Sequence, residues 1–130
     1  MRVLRQAKPG PRPPALTDLD GLFKGFADPT RIRILNVLAA GELCVRDIVT
    51  LLRLAQPTVS RHLAYLRRTG LARARPELKY TYYRLADPQD AIHRNLLGCV
   101  RTCFRGIGAL DRERAAAETR VTERQTSPCV

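Results

Sequence analysis

Residues 56–71 read Gln56-Pro57-Thr58-Val59-Ser60-Arg61-His62-Leu63-Ala64-Tyr65-Leu66-Arg67-Arg68-Thr69-Gly70-Leu71. Pro57 suits the first turn of a helix, where its missing N–H is no loss, and Gly70 suits the position just past a helix end. Between them Val59, Leu63 and Leu66 recur at i, i+4 and i+7, an apolar edge that packs inward. That edge puts Thr58, Arg61, His62 and Tyr65 on an outward face, with Gln56 and Ser60 at the exposed start. These side chains donate and accept hydrogen bonds where base edges of a major groove would be met. An ordinary solvated face mixes Glu with Lys, yet no acid occurs from Gln56 to Gly70.

Working outward, ELCVRDIVTLLRL (42–54) reads as a short helix with Val45, Ile48, Val49 and Leu52 inward, and a tight connection joins it to the helix at Pro57. Upstream, Asp28-Pro29 stops one helix and caps the next, which runs through Ile32, Ile34, Leu35 and Leu38 to Gly41 with an apolar ring broad enough for the core. Leu19, Leu22, Phe23 and Phe26 mark a first helix from Thr17. Downstream, LARARPELKYTYYRLAD (71–87) predicts strands at 71–75 and 80–85 around a turn at Pro76–Lys79. Asp87-Pro88 caps a last helix, with Asp90 in its first turn and a single stripe of Ile92, Leu96, Cys99, Cys103, Ile107 and Leu110; glycines 98, 106 and 108 weaken its far half. The order is that of a winged helix-turn-helix, mainly α with a small β-hairpin. The stripe is more apolar than one small domain covers, which predicts a homodimer. Residues 1–16, with four cations, four prolines and no acid, are expected to be a disordered basic arm; 17–110 form the domain and 111–130 a flexible polar tail.

The 130 residues suffice for one core, and 23 Lys+Arg against 12 Asp+Glu give a net charge of +11, which points to a polyanionic partner. Twenty of those cations are arginine, and arginine richness also follows from GC-rich codon usage, so placement decides. Residues 46–86 carry nine cations against two acids, whereas 111–130 carry four of each. The excess lies on the reading helix and hairpin, so the expected partner is double-stranded operator DNA. Arg67 is expected to bind DNA as well, and the wing cations Arg75 and Lys79 to position the duplex through its backbone. No apolar run approaches the ~20 residues of a membrane span, and the start lacks the apolar stretch of a signal peptide; a cytoplasmic protein with no membrane partner is expected. Two histidines, no zinc-protease motif and no glycine-rich phosphate loop argue against an enzyme, leaving a small thiol catalyst as a remote alternative. No organic cofactor is expected. A general architectural nucleic-acid protein fits the basic arm but not the specific face.

Four segments, DPTRIRIL (28–35), GELCVRDI (41–48), QPTVSRHLAYLRRTGL (56–71) and the closing YYRL (82–85), closely resemble the ArsR-type winged-helix metalloregulators in order and spacing, over about residues 19–105. The resemblance implies a homodimer built on the first and last helices that represses an operon until a metal or metalloid lowers its operator affinity. In that family an ELCVCDL motif supplies two thiolates before the recognition helix. Here Cys44 occupies the first position and Arg46 stands where the second cysteine belongs, so that pair is incomplete. LLGCVRTCF (96–104) resembles the last helix of some arsenic-responsive members.

Four cysteines are too few for a secreted disulfide scaffold and are expected as thiols. Cys99 and Cys103 stand at i, i+4, about 5–6 Å apart at Cβ, close enough to clasp one ion; the competing reading is that they are small core residues at a dimer seam. Thiolates with few nitrogen or carboxylate neighbours select soft ions, hence trivalent arsenic or antimony as inducer. Cys44 is the natural third sulfur. Tetrahedral zinc wants four ligands, but His93 lies about 240° around the helix from Cys99, and His62 is on the recognition face. Cys129 falls in the tail. A thiol redox or persulfide sensor uses the same cysteines and stands as the alternative.

Overall fold

A computed structural model describes residues 15–124. Helix α1 (Leu16–Gly25) leads into α2 (Pro29–Leu38), whose start is capped as the sequence predicts: the Asp28 carboxylate accepts from the N–H groups of Thr30 (2.8 Å) and Arg31 (3.1 Å). Burial alone would raise the Asp28 pKa, but these donors more than offset it and hold it below the usual carboxylate range. A two-residue strand β1 (Leu43–Cys44) precedes α3 (Val45–Leu52), and α4 (Gln56–Arg68) follows. The hairpin is β2 (Ala72–Glu77) and β3 (Tyr80–Leu85). The chain then forms α5 (Ala91–Thr102) and α6 (Gly108–Glu123).

The winged helix-turn-helix is therefore present, with three departures from expectation. The sheet has three strands, not two, in the order β1-β3-β2, because Leu43 and Cys44 pair antiparallel with Tyr83 and Tyr82. The hairpin register runs from Ala72↔Leu85 to Glu77↔Tyr80, so β2 extends two residues beyond the expected strand and Leu78–Lys79 alone make the turn. Leu78 takes a left-handed conformation (φ +57°) that costs a branched side chain about 1 kcal/mol, and its side chain is 96% exposed.

The second and third departures concern the C-terminal half. The last helix is not one stripe from Ile92 to Leu110: it starts after an Asp90 cap, which accepts from His93 N–H at 2.8 Å, and ends at Thr102. A turn through Gly106 (φ +91°) follows, in a conformation that glycine adopts without strain. The buried edge of α5 is His93, Leu97 and Val100, while Ile92, Cys103 and Ile107 are exposed. Residues 111–123, expected as flexible tail, are helical and belong to the domain. Ala117 of α6 is fully buried, Leu110 is buried, and Val121 packs on the same core. Three polar ties dock α6. The Glu113 carboxylate accepts from Arg33 Nε and Nη2 (2.6 Å at the shortest), which raises the Arg33 pKa; Asn36 Nδ2 donates to the Leu110 carbonyl (2.9 Å); and Arg120 Nε donates to Asp47 (2.7 Å). Gly41 (φ +148°) allows the approach, since a Cβ there would lie 2.9 Å from a Val121 methyl.

The main core cluster is centred on α2 (Ile34, Leu35, Val37, Leu38), with Leu43, Ile48 and Leu52 below and Val59, Leu63 and Leu66 from α4; a smaller one joins Cys44 to Tyr82 under Tyr80. Among the described residues no helix is long and apolar enough to cross a membrane. The arm expected at residues 1–16 lies almost wholly outside the described residues; of it, Leu16 is already helical.

Candidate nucleic-acid interface and thiol pair

Complete burial of Val59, Leu63 and Leu66 sets the orientation of α4. At about 100° per residue, Arg61, Ala64 and Arg68 fall opposite that edge, and all three are exposed. Gln56 is exposed at the first position, and Thr58 and Ser60 flank the pole half-buried. His62 and Tyr65, expected on the outward face, are half-buried on the flank that meets the start of α2. The Arg31 guanidinium lies 4.3 Å from the Tyr65 ring centroid, donates to His62 Nδ1 (3.3 Å) and donates to the Lys24 carbonyl (2.7 Å). Arginine has no acceptor, so in this contact the guanidinium is the donor and Nδ1 of His62 the acceptor. These two side chains thus brace α4 as well as bordering its free face. Arg67 is exposed on the other flank, beside Ala72 and Arg73. Sequence reading missed Arg68, which stands at the pole and packs over Tyr65 at 5.4 Å; its signal was the i+7 spacing from Arg61.

The wing cations are less free than a local charge count implies. Arg75 forms a fork with Glu42 (2.6 and 3.0 Å), pairs with Glu77 and lies over Tyr82 at 4.9 Å. Glu42, then Glu77, push the Arg75 pKa further above its already basic value, and Arg75 holds the Glu42 carboxyl below its usual range. Arg73 and Arg84 share Asp87 (3.4 and 3.3 Å). Lys79 at the wing tip has no carboxylate partner among the described residues, and its ammonium lies 5.7 Å from the Tyr80 ring centroid.

Cys99 and Cys103 close the last turn of α5, where Cys103 N–H donates to the Cys99 carbonyl at 2.8 Å. Both are free thiols, Cys99 half-buried and Cys103 exposed. A hydrogen bond with the Cys103 thiol, and then partial burial, push the Cys99 thiol up. Cys44 lies elsewhere, at the N-cap of α3. It is 1% exposed and, contrary to the expectation of a thiol, its sulfur is in a disulfide. Among the described residues no three of His, Cys, Asp or Glu converge on one point, so within one chain the two α5 thiols come together without a third donor. Cys129 lies outside the described residues.

The helical pair α3–α4, an acid-free pole and a wing define a winged helix-turn-helix DNA-binding protein. The family model described as bacterial regulatory protein, arsR family, matches residues 28–74. An uncharacterized helix-turn-helix transcriptional regulator of Methanocaldococcus jannaschii is 43% identical over 67 residues, 51% of this chain and 75% of that protein. The arsenical resistance operon repressor of Escherichia coli is 50% identical over 66 residues, 50% of this chain and 56% of that protein. The solution structure of a homodimeric winged helix-turn-helix DNA-binding domain from Mycobacterium bovis superposes with a TM-score of 0.58 at 31% identity, covering 68% of this chain and 79% of that one. The chain belongs to the ArsR family of bacterial regulatory proteins. It is a DNA-binding transcriptional regulator, of a family that is not an enzyme class.

Proposed function

We propose that this protein is a homodimeric repressor that reads operator DNA with Gln56, Thr58, Ser60, Arg61, His62 and Tyr65, holds the backbone with Arg67, Arg75 and Lys79, and is released by trivalent arsenic or antimony at Cys99 and Cys103. The observation that carries the DNA half is the exposed, acid-free pole of α4 on a buried apolar edge. The dimer rests on the apolar side chains left uncovered on α1 and α5: Leu16, Phe23 (56% exposed) and Ile92.

The thiol contact supports the inducer. As(OH)3 condenses with two thiols to (RS)2AsOH and two waters, with no net proton released, so a raised thiol pKa is no obstacle to it. A divalent ion must displace both protons, and the same raised pKa works against it. Cys44 joins as a third sulfur only after reduction. A second reading draws on the same contact, since two thiols in hydrogen-bond reach are also a dithiol that an oxidant or persulfide closes.

Fluorescence anisotropy on an operator duplex tests the assignment. Cys99→Ser and Cys103→Ser are expected to keep operator affinity and stay bound when arsenite is added, and Cys44→Ser to do so only where a three-sulfur site forms. A coupling of about 1–3 kcal/mol corresponds to a 5- to 150-fold loss of affinity in the unmutated protein. Full release of both α5 variants by every trivalent arsenical would make the pair packing, and release by oxidants alone would favour the redox reading.

A further inference from the structure

A cleft of about 430 Å³ opens between the start of α3, the first residue of α4 and the wing tip. Its polar lining includes Arg46, Gln56, Lys79, Tyr80 and Thr81, Val45 and Val49 supply an apolar floor, and no carboxylate lines it. That matters because the other cations of the wing are each paired with a carboxylate: Arg75 with Glu42 and Glu77, and Arg73 and Arg84 with Asp87, which they share. Arg46 and Lys79 have no carboxylate partner among the described residues, and both are exposed. Two unpaired cations therefore face one cleft together with an amide and a hydroxyl, the donor set of an anion site. Its position names the anion. Gln56 begins the reading helix and Lys79 is at the wing tip, and when α4 enters a major groove those two elements straddle the strand that borders it.

We infer that this cleft seats one phosphodiester of the DNA backbone, with Arg46 as its principal ligand and Lys79, Gln56 and Thr81 completing the clamp. The inference rests on the DNA-binding reading above and extends it to a residue absent from that reading. Arg46 occupies the place of the second thiolate in the family motif, so a position that serves a cation elsewhere here serves an anion. The contact is one of positioning: it holds register on any duplex and carries no base information.

The test is the salt dependence of binding by the full chain to an operator duplex and to a random duplex of equal length. Each phosphate contact contributes about 0.9 to the slope of log K against log salt. Arg46→Ala is expected to lower the slope by about one per protomer and to weaken both duplexes by the same factor, while Arg46→Lys keeps most of the slope. Arg112→Ala, which removes an exposed α6 cation, controls for net charge and leaves the slope unchanged. A methylphosphonate scan then locates the contact: one backbone position per half-site costs the unmutated protein affinity and costs Arg46→Ala nothing. An unmutated chain that binds no duplex overturns the DNA reading and this inference together. Binding that persists with an unaltered slope in Arg46→Ala, or a scan in which every position costs both proteins equally, overturns this inference alone.

Discussion

Replacing Gly41 by alanine tests whether α6 is docked as described. The backbone there has φ +148°, a region that only glycine enters freely, and holding alanine in it costs about 1–3 kcal/mol. The added Cβ would also meet Val121 Cγ1 at 2.9 Å and Cγ2 at 3.1 Å, inside normal contact, adding about 1–2 kcal/mol of overpacking. The expected total is about 3 kcal/mol, a large share of a small domain's stability. The two parts separate in a double-mutant cycle. Val121→Ala alone removes methyl groups from a half-buried site and costs about 1 kcal/mol. In that background the clash is gone and only the backbone part remains, so Gly41→Ala should cost about 1–2 kcal/mol less. Urea denaturation of the four proteins, at one fixed concentration because association adds to apparent stability, provides the numbers. Equal costs of Gly41→Ala in both backgrounds would refute the packing of α6 against the α2–β1 loop.

Arg61→Ala should weaken operator binding more than random-duplex binding, whereas Lys79→Ala should weaken both alike; Arg75→Ala should change the salt slope less than Lys79→Ala, because Glu42 and Glu77 already neutralise it. Glu42→Gln should cost about 1 kcal/mol at pH 7. Because Arg75 lowers the Glu42 pKa in the folded state, that stabilisation is present above the ordinary carboxylate value and disappears as pH falls through the lowered one. The stability curves of the two proteins should therefore converge in acid, and curves that stay parallel to pH 2 would remove Arg75 as the cause. Cys99, its thiol pushed up by Cys103, should alkylate with iodoacetamide more slowly than an ordinary thiol at pH 8, and Cys103→Ser should accelerate it; mass-spectrometric peptide counting reads both.

The helix-turn-helix was legible because its signal is local: Val59, Leu63 and Leu66 share one edge, and Asp28-Pro29 is a cap that needs no distant partner. What stayed hidden depends on long-range pairing. The segment 108–123 interleaves three cations with four acids and is rich in alanine, a pattern that reads as solvated. In the fold Glu113 and Arg120 turn inward to Arg33 and Asp47, residues more than seventy positions away, and Ala117 is small because α2 lies close. Arg75 counted as a free wing cation for the same reason, its partner Glu42 being 33 residues upstream. The α5 stripe was correct in period and displaced in phase. His93, Leu97 and Val100 took the interior, and the neighbouring Ile92, Leu96, Cys99 row was left toward the surface. Periodicity fixes the width of such a row and not which of two adjacent rows the core claims.

Arg31 divides the labour along the reading helix. By engaging His62 and Tyr65 it ties one flank of α4 to the start of α2, while the side chains of Arg61 and Ala64 at the pole make no hydrogen bond or ion pair with any described residue. Substitutions at an exposed position without such duties change stability by about 0.5 kcal/mol or less. If α4 reads bases as proposed, a descendant of this chain can therefore drift at Arg61 and Ala64 toward a different target sequence through variants that all fold, whereas the same drift at Tyr65 loosens that helix. Duplicated copies would diverge first at the pole, and two regulators in one cell would become insulated from each other there before their scaffolds differed.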